Sequence, residues 1–308
     1  MFGEDTSSDS LSATLSPVED AQTSVSSSQM SKLRDLVAPE DGPVIAVDLD
    51  DVLSQTNEVV SQWHNEAFGS KVTLDNFYYY YYWKNPYWGT PLETHTKVRD
   101  FYTTGRIFDA IPVPGAKEGV MALRNMGYRL VVVTARGNDW HTSSWAWVEK
   151  HFPGLFHSLI CTGQFANSGP KQANGSVFTA TKLSKADVCI DLGAKVLIDD
   201  SIENALSCAR HKPMQESSQN TLGPPTVLLF GAYQWNSRIS SQSTDEREDM
   251  AYDSRVERTG GTSFLDEDQA AAQLELDDVN FGKTRICRVK DWSAVVKWIR
   301  AESDAGRL

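Results

Sequence analysis

Five short apolar runs constrain this chain more than any other feature: PVIAVD (43–48), YRLVVVT (128–134), HSLICT (157–162), KVLIDD (195–200) and TVLLFG (226–231). Each has the length of one strand, and segments of helical periodicity lie between them. Ala116, Val120 and Leu123 fall on one helical face, as do Ile202, Ala205, Leu206 and Ala209. Buried strands alternating with helices form a parallel sheet with crossover helices, so the expected fold is α/β with a five-stranded parallel sheet. Near the C-terminus Trp292, Val295, Val296 and Ile299 repeat at i, i+3, i+4 and i+7, and this last helix should pack on the core.

Residues 54–111 break the alternation. A helix with Val60, Trp63 and Ala67 on one face leads into NFYYYYYWKNPYW, and a second helix with Val98, Phe101 and Tyr102 ends at Gly105. This is a small helical module between strands one and two, in the position of a cap. Its run Tyr78 to Trp83 either builds the module's core or stacks on a base or sugar, and the core is favoured. The expected organisation is a disordered Ser/Thr-rich acidic tail (1–40), a core (43–53 and 112–237), the helical cap (54–111), an acidic disordered insertion (238–283) and a C-terminal strand and helix on the core (284–303). The stretches 163–176 and 211–225 read as loops.

Composition excludes several function classes. A chain of 308 residues at 40% hydrophobic can bury a full core. Its net charge of -12 argues against a nucleic-acid polymer or an anionic lipid surface as partner. Much of that charge lies between residues 245 and 278, where twelve acids face three arginines. The sequence assigns no protein partner to this insertion. No apolar run approaches the roughly 18 residues of a membrane span. Cys161, Cys189, Cys208 and Cys287 form no C-x-x-C pair, so neither zinc nor a disulfide framework is indicated. With no Lys or Arg before Lys32 and no apolar leader, the expected location is the cytoplasm, with the nucleus as alternative.

The first run carries a conflict, because VIAVDLDDVL places Asp48, Asp50 and Asp51 within four positions. Like charges this close destabilise a fold unless a cation, a proton or donors compensate. In an extended segment Asp48 and Asp50 point to one side while Leu49 and Asp51 point away. Mg²⁺, held by one or two carboxylates with waters and substrate phosphate, would offset the repulsion. Two further strands end in polar residues, Thr134 in VVVTARG and Asp199 with Asp200 in LIDDS. Ligands of open parallel sheets bind at the carboxyl ends of the strands, so these residues converge on one edge, and Asp200 is a candidate further ligand. Asp51 is expected to cap the following helix. Arg136 either meets substrate phosphate or pairs with a surface acid, and His141 and His151 show no ligand spacing.

Four motifs in order, DLDDV, VVVTAR, KADVCIDLG and LIDDSIENA, resemble those of the haloacid dehalogenase (HAD) superfamily of phosphotransferases. The resemblance covers roughly residues 43–231, leaves the tail and the acidic insertion unexplained, and implies a Rossmann-like core. It implies that Asp48 attacks phosphorus to form an aspartyl-phosphate, and that Asp50 protonates the leaving oxygen and then deprotonates water. Crowding by Asp48 and Asp51 is expected to raise the pKa of Asp50. Thr134 and Lys185 would hold the phosphoryl oxygens, with Lys182 as the alternative lysine. Mg²⁺ would contact Asp48, Asp200 and the backbone carbonyl of Asp50. Because Asn204 stands where the family often has Asp, Asp199 is the alternative outer carboxylate.

A cap of this size followed by TARGNDWHTSSWAWVEKHFPGLF is similar to the deoxyribonucleotidase-like branch. That likeness implies a Mg²⁺-dependent phosphatase acting on a small phosphorylated metabolite, a nucleoside monophosphate first and a phosphosugar as alternative. A non-catalytic HAD-like protein that binds a partner through its tail or insertion is the other class. The intact Asp48, Asp50, Thr134, Lys185 and Asp200 argue against it.

Overall fold

The computed structural model describes residues 42–163, 184–211, 223–239, 246–283 and 285–308. The expected tail 1–40, Lys182 and most of the loops 163–176 and 211–225 lie outside these residues.

Strands β1 (Val44–Val47), β2 (Arg129–Thr134), β3 (Ser158–Cys161), β4 (Val196–Asp199), β5 (Thr226–Phe230) and β6 (Ile286–Val289) form one parallel sheet in the order β3-β2-β1-β4-β5-β6. The sheet thus has six strands rather than five. β6 lies within 284–303, the segment read as a C-terminal strand and helix, but is not among the five apolar runs because it is a short edge strand whose Arg288 is exposed and whose Cys287 is half-buried. Both flanks of β1 are paired, with Val47 opposite Val132 on one side and Ile198 on the other.

Every residue of β1 is buried, because helices cover both faces of the sheet. Helices α1 (Thr56–Phe68) and α2 (Pro91–Thr103) lie between β1 and β2, followed by α3 (Ala116–Asn125), and α4 (His141–His151) joins β2 to β3. Helices α5 (Lys185–Asp191) and α6 (Ile202–Arg210) flank β4, α7 (Tyr252–Thr259) and α8 (Phe264–Val279) precede β6, and α9 (Trp292–Asp304) follows it. Ile45 and Val47 pack with Val120, Leu123, Val148, Val295 and Ile299, whereas Val44 and Ala46 pack with Val188, Ala205, Leu206 and Leu276. Helix α9 places Trp292, Val295 and Ile299 in the core cluster. Trp292 donates its indole N–H to the Val52 carbonyl at 2.9 Å, and a Cβ at Gly119 would meet its ring at 2.5 Å, so only glycine admits this approach.

Residues 54–111 form a helical insert with its own apolar cluster of Val60, Trp63, Phe77, Trp88, Phe101 and Ile107. α2 starts on a capping box in which Thr90 accepts from the Glu93 N–H and Glu93 accepts from the Thr90 N–H at 2.8 Å, with Pro91 in the first turn. The tyrosine run is closed by Asn85, which accepts from the Tyr79 N–H at 2.9 Å and donates to the Tyr79 and Tyr81 carbonyls.

The acidic region is a correction. Residues 246–283, read from composition as disordered, carry α7 and α8. Net charge hides a narrow apolar stripe, since Ala272, Leu276 and Val279 recur at i, i+4 and i+7 and are buried against the sheet's helices. Asp266, Glu267, Asp277 and Asp278 are exposed, and Asp266 and Glu267 in the first turn of α8 suit the positive end of its dipole. Among the described residues no helix is long and apolar enough to cross a membrane.

Candidate active site

In the strand order 3-2-1-4-5-6 the crossovers diverge between β1 and β4, which opens a crevice at their carboxyl ends. Asp48 directly follows β1, and Asp199 and Asp200 close β4, so the sheet alone brings these acids together. The three are buried, and one carboxylate oxygen from each lies within 4.8 Å of the others.

Lys185 stands among them. Its ammonium is 2.5 Å from Asp48 Oδ2 and 2.7 Å from Asp199 Oδ2, with the side chain 2% exposed. Its position is set locally, since Ser184 caps α5 by accepting from the Asp187 N–H at 3.1 Å and the Asp187 carboxylate accepts from the Ser184 N–H in return. Asp199 is otherwise occupied, accepting from the Ser201 N–H at 2.9 Å and from Asn204 Nδ2 at 3.2 Å. Asn204 therefore supports Asp199 at the position where the resemblance implies a further carboxylate. Asp200 accepts from the Trp235 indole N–H at 2.6 Å.

The charges do not balance. Three carboxylates meet one ammonium, and burial, countered by Lys185 but reinforced by Asp199 and Asp50, pushes the Asp48 carboxyl up to about 7. Burial and the charges of Asp48 and Asp199 likewise push Asp200 up.

Asp50 behaves differently from the expectation that crowding raises its pKa. Burial acts in that direction, but the Arg136 guanidinium and hydrogen bonds from Arg136 and Thr56 outweigh it and hold the carboxyl below its ordinary range. Arg136 Nη2 donates to Oδ1 at 2.6 Å, Nε donates to Oδ2 at 3.1 Å, and the Thr56 hydroxyl donates to Oδ1 at 2.6 Å. Arg136 therefore pairs with an acid of the site rather than a surface acid, and it also donates to Ser144 and lies over the Phe108 ring. With its carboxylate so engaged, Asp50 stands outside the three-acid cluster. Thr134 is fully buried at the end of β2, and its hydroxyl donates to Asp50 Oδ2 at the long distance of 3.5 Å.

Asp51 turns away from the three-acid cluster, through a turn and not through strand alternation. Its carboxylate accepts from the Asn57 N–H at 3.0 Å in the first turn of α1, and its backbone sits at φ +55°, a conformation that Asp tolerates better than most residues. The residues that sequence reading missed are partners: Thr56 and Ser144 around Asp50 and Arg136, and Trp235 on Asp200. Tyr233, stacked on Trp235 with centroids 4.1 Å apart, donates to the Asp51 carbonyl at 2.9 Å. The aromatic segment also reaches the crevice, since Phe77 lies edge-on to Trp235 with centroids 6.2 Å apart, and burial pushes the Tyr80 phenol well up. Tyr82 donates to Asn57 Oδ1 at 2.6 Å and stacks on Trp88. Of these only the aromatic run carries a sequence signal.

Residues 42–165 match the family model described as "5' nucleotidase, deoxy (Pyrimidine), cytosolic type C protein". No curated protein matches the chain at a significant level. Among solved structures, a predicted phosphatase from Clostridium acetobutylicum is similar at 14% identity and a TM-score of 0.45, over 85% of this chain and 100% of that one. A HAD family hydrolase from Deinococcus radiodurans R1, solved with bound phosphate and sodium, is similar at 14% identity and a TM-score of 0.44, over 87% of this chain and 97% of that one. The family match spans β1 to β3 with the helical insert, and the two remaining motifs close the same crevice from α5 and β4. Over residues 42–165 the chain is thus similar to a nucleotidase family, and its fold is the parallel α/β sheet that the haloacid dehalogenase resemblance implies.

Proposed function

We propose that the protein is a Mg²⁺-dependent phosphatase that hydrolyses a nucleoside monophosphate through an aspartyl-phosphate at Asp48. The observation that carries this reading is the buried cluster of Asp48, Asp199 and Asp200 around Lys185 at the crevice between β1 and β4.

The donor set fits a hard divalent cation. All candidate ligand atoms are oxygens, three carboxylates share the one ammonium of Lys185, and burial with mutual repulsion raises both Asp48 and Asp200 in pKa. Asp48, Asp200 and the Asp50 carbonyl would hold Mg²⁺, while Asp199, filled by Lys185, Ser201 and Asn204, fixes the lysine. When bound, the ion supplies charge neutralisation for the phosphoryl oxygens and keeps Asp48 ionised.

The chain's own residues account for the remaining chemistry. An Asp48 carboxylate oxygen forms the new bond to phosphorus as the bond to the leaving oxygen breaks, and Asp50 gives that oxygen a proton. In the second half Asp50 takes a proton from water, whose oxygen attacks phosphorus and breaks the bond to Asp48, releasing phosphate. Arg136 favours the ionised Asp50 that this second half uses, and substrate phosphate competing for the guanidinium would free Asp50 to carry its proton in the first. Lys185 and Thr134 neutralise and orient the phosphoryl group. The helical insert acts as the cap, and its aromatic side suits a base. A phosphosugar is the alternative substrate.

The test is phosphate release from a panel of nucleoside monophosphates and phosphosugars, with Mg²⁺ and with a chelator. Fastest release from a nucleoside monophosphate, lost on chelation, is expected. Release from phosphosugars alone would reassign the substrate, and no release from any compound would contradict the reading.

A further inference from the structure

The acidic helices meet the tyrosine run through a buried polar triad. Tyr79 donates its hydroxyl to Asp268 Oδ2 at 2.7 Å, and Arg255 Nη1 donates to the same oxygen at 2.7 Å and to the Tyr79 hydroxyl at 3.1 Å. Tyr79 is 1% exposed and Arg255 6%, and the guanidinium lies 4.1 Å from the centre of the Phe264 ring. Next to this triad Tyr78 stacks on Tyr252, with centroids 6.0 Å apart and planes 13° apart. Arg238 lies over Tyr78 while donating to the Leu265 carbonyl at 3.0 Å.

Stability alone does not require such a triad. A buried ion pair is often no better than apolar packing of the same shape, but it accepts a single arrangement of its partners. Here the partners join two bodies with separate anchors. α8 is fixed to the core through Ala272, Leu276 and Val279 and by the ion pair of Glu275 with Arg210 on α6, the helix that starts just after Asp200. The tyrosine loop is held by the triad and by Asn85, whose side chain bonds both the N–H and the carbonyl of Tyr79. The same loop meets the site directly: Phe77 lies edge-on to Trp235, the donor to Asp200, with centroids 6.2 Å apart, and Tyr82 donates to Asn57, whose N–H Asp51 accepts.

We propose that residues 246–279 form a second covering element of the site, a brace that uses Tyr79, Arg255 and Asp268 to position the tyrosine loop over the carboxylates. Tyr79, Arg255 and Asp268 are positioning residues: they govern how the cap grips the organic part of the substrate and leave the phosphoryl chemistry to the core. The kinetic part of this inference rests on the phosphatase reading, and its structural part does not.

The experiment compares full-length wild type, Asp268→Asn, Tyr79→Phe and the conservative Asp268→Glu by amide hydrogen exchange and by steady-state kinetics with Mg²⁺. For Asp268→Asn and Tyr79→Phe, exchange over residues 77–89 is expected to rise by about tenfold or more, with β1 and β4 unchanged. KM for a nucleoside monophosphate is expected to rise about tenfold with kcat within about threefold, and kcat/KM for acetyl phosphate, too small to need the cap, to stay within about twofold. Asp268→Glu should recover part of both changes. Unchanged exchange over 77–89 overturns the brace, as does an equal fall in kcat for both substrates. If wild type hydrolyses nothing, the phosphatase reading fails while exchange still decides the brace. Should Asp268→Asn not fold, Tyr79→Phe, which keeps the ring, carries the test.

Discussion

Arg136 grips Asp50 side-on, with Nη2 2.6 Å from Oδ1 and Nε 3.1 Å from Oδ2, so a planar fork fixes both oxygens of one carboxylate. A lysine carries the same charge but cannot reproduce this fork. Arg136→Lys is therefore expected to lower kcat by about tenfold or more at saturating nucleoside monophosphate, because Asp50 loses its fixed orientation. Steady-state kinetics check this, and an unchanged kcat would mean that the pair is not used in turnover.

Lys185 compensates two carboxylates at once, and none of the three groups can reach bulk water. Lys185→Met leaves Asp48 and Asp199 buried without their cation. The variant should lose about 3–5 kcal/mol of stability in urea titrations run with chelator, together with phosphate release. Wild-type stability in the variant would contradict the role of Lys185 as counter-charge.

Trp235 donates to Asp200 at 2.6 Å and so orients a proposed metal ligand. Trp235→Phe keeps most of the ring and removes the donor. The Mg²⁺ concentration for half-maximal activity is expected to rise about tenfold, as when hydrogen bonds to metal ligands are lost in other sites. Gly231 bears on the same contact, since at φ +86° its added Cβ would strike the Tyr233 ring that stacks on Trp235.

His64 gives the helical insert a pH dependence. Buried on α1 against Trp88, with burial and then the Lys97 charge acting on it, its imidazole is pushed down from 6.5 to about 4. The unfolded chain therefore binds a proton between these values that the folded chain refuses. The contribution of His64 is complete above pH 6.5 and declines as pH falls toward 4, by about 2 kcal/mol between pH 6.5 and 5. Urea titrations at the two pH values should show this slope in wild type and a flatter one in His64→Gln.

The acids of the site were legible because each follows an apolar run, and the end of a buried parallel strand is where chain pattern and ligand position coincide. Asp48, Thr134, Lys185, Asp199 and Asp200 all reach the crevice between β1 and β4 or its edge. Pairings across the crevice were not legible. Nothing local to Asp50 announces that Arg136, from another strand, would offset the crowding by Asp48 and Asp51 and reverse its expected shift. The acidic helices were missed for a different reason: a stripe as narrow as Ala272, Leu276 and Val279 is swamped when charge is averaged over the segment. β6 was too short and too polar at Arg288 to register as a run. Trp235 stands in a turn, where no periodicity forecasts a side chain's direction.

The most direct measurement compares wild type with Asp48→Asn for phosphate release from nucleoside monophosphates in Mg²⁺, both proteins being verified as folded. Asn keeps the shape of Asp48 but lacks the charged oxygen that meets Lys185 at 2.5 Å and is proposed to attack phosphorus. Release by wild type and a loss of at least about a thousandfold in the variant are expected. Equal release by the two proteins would contradict the account at its centre.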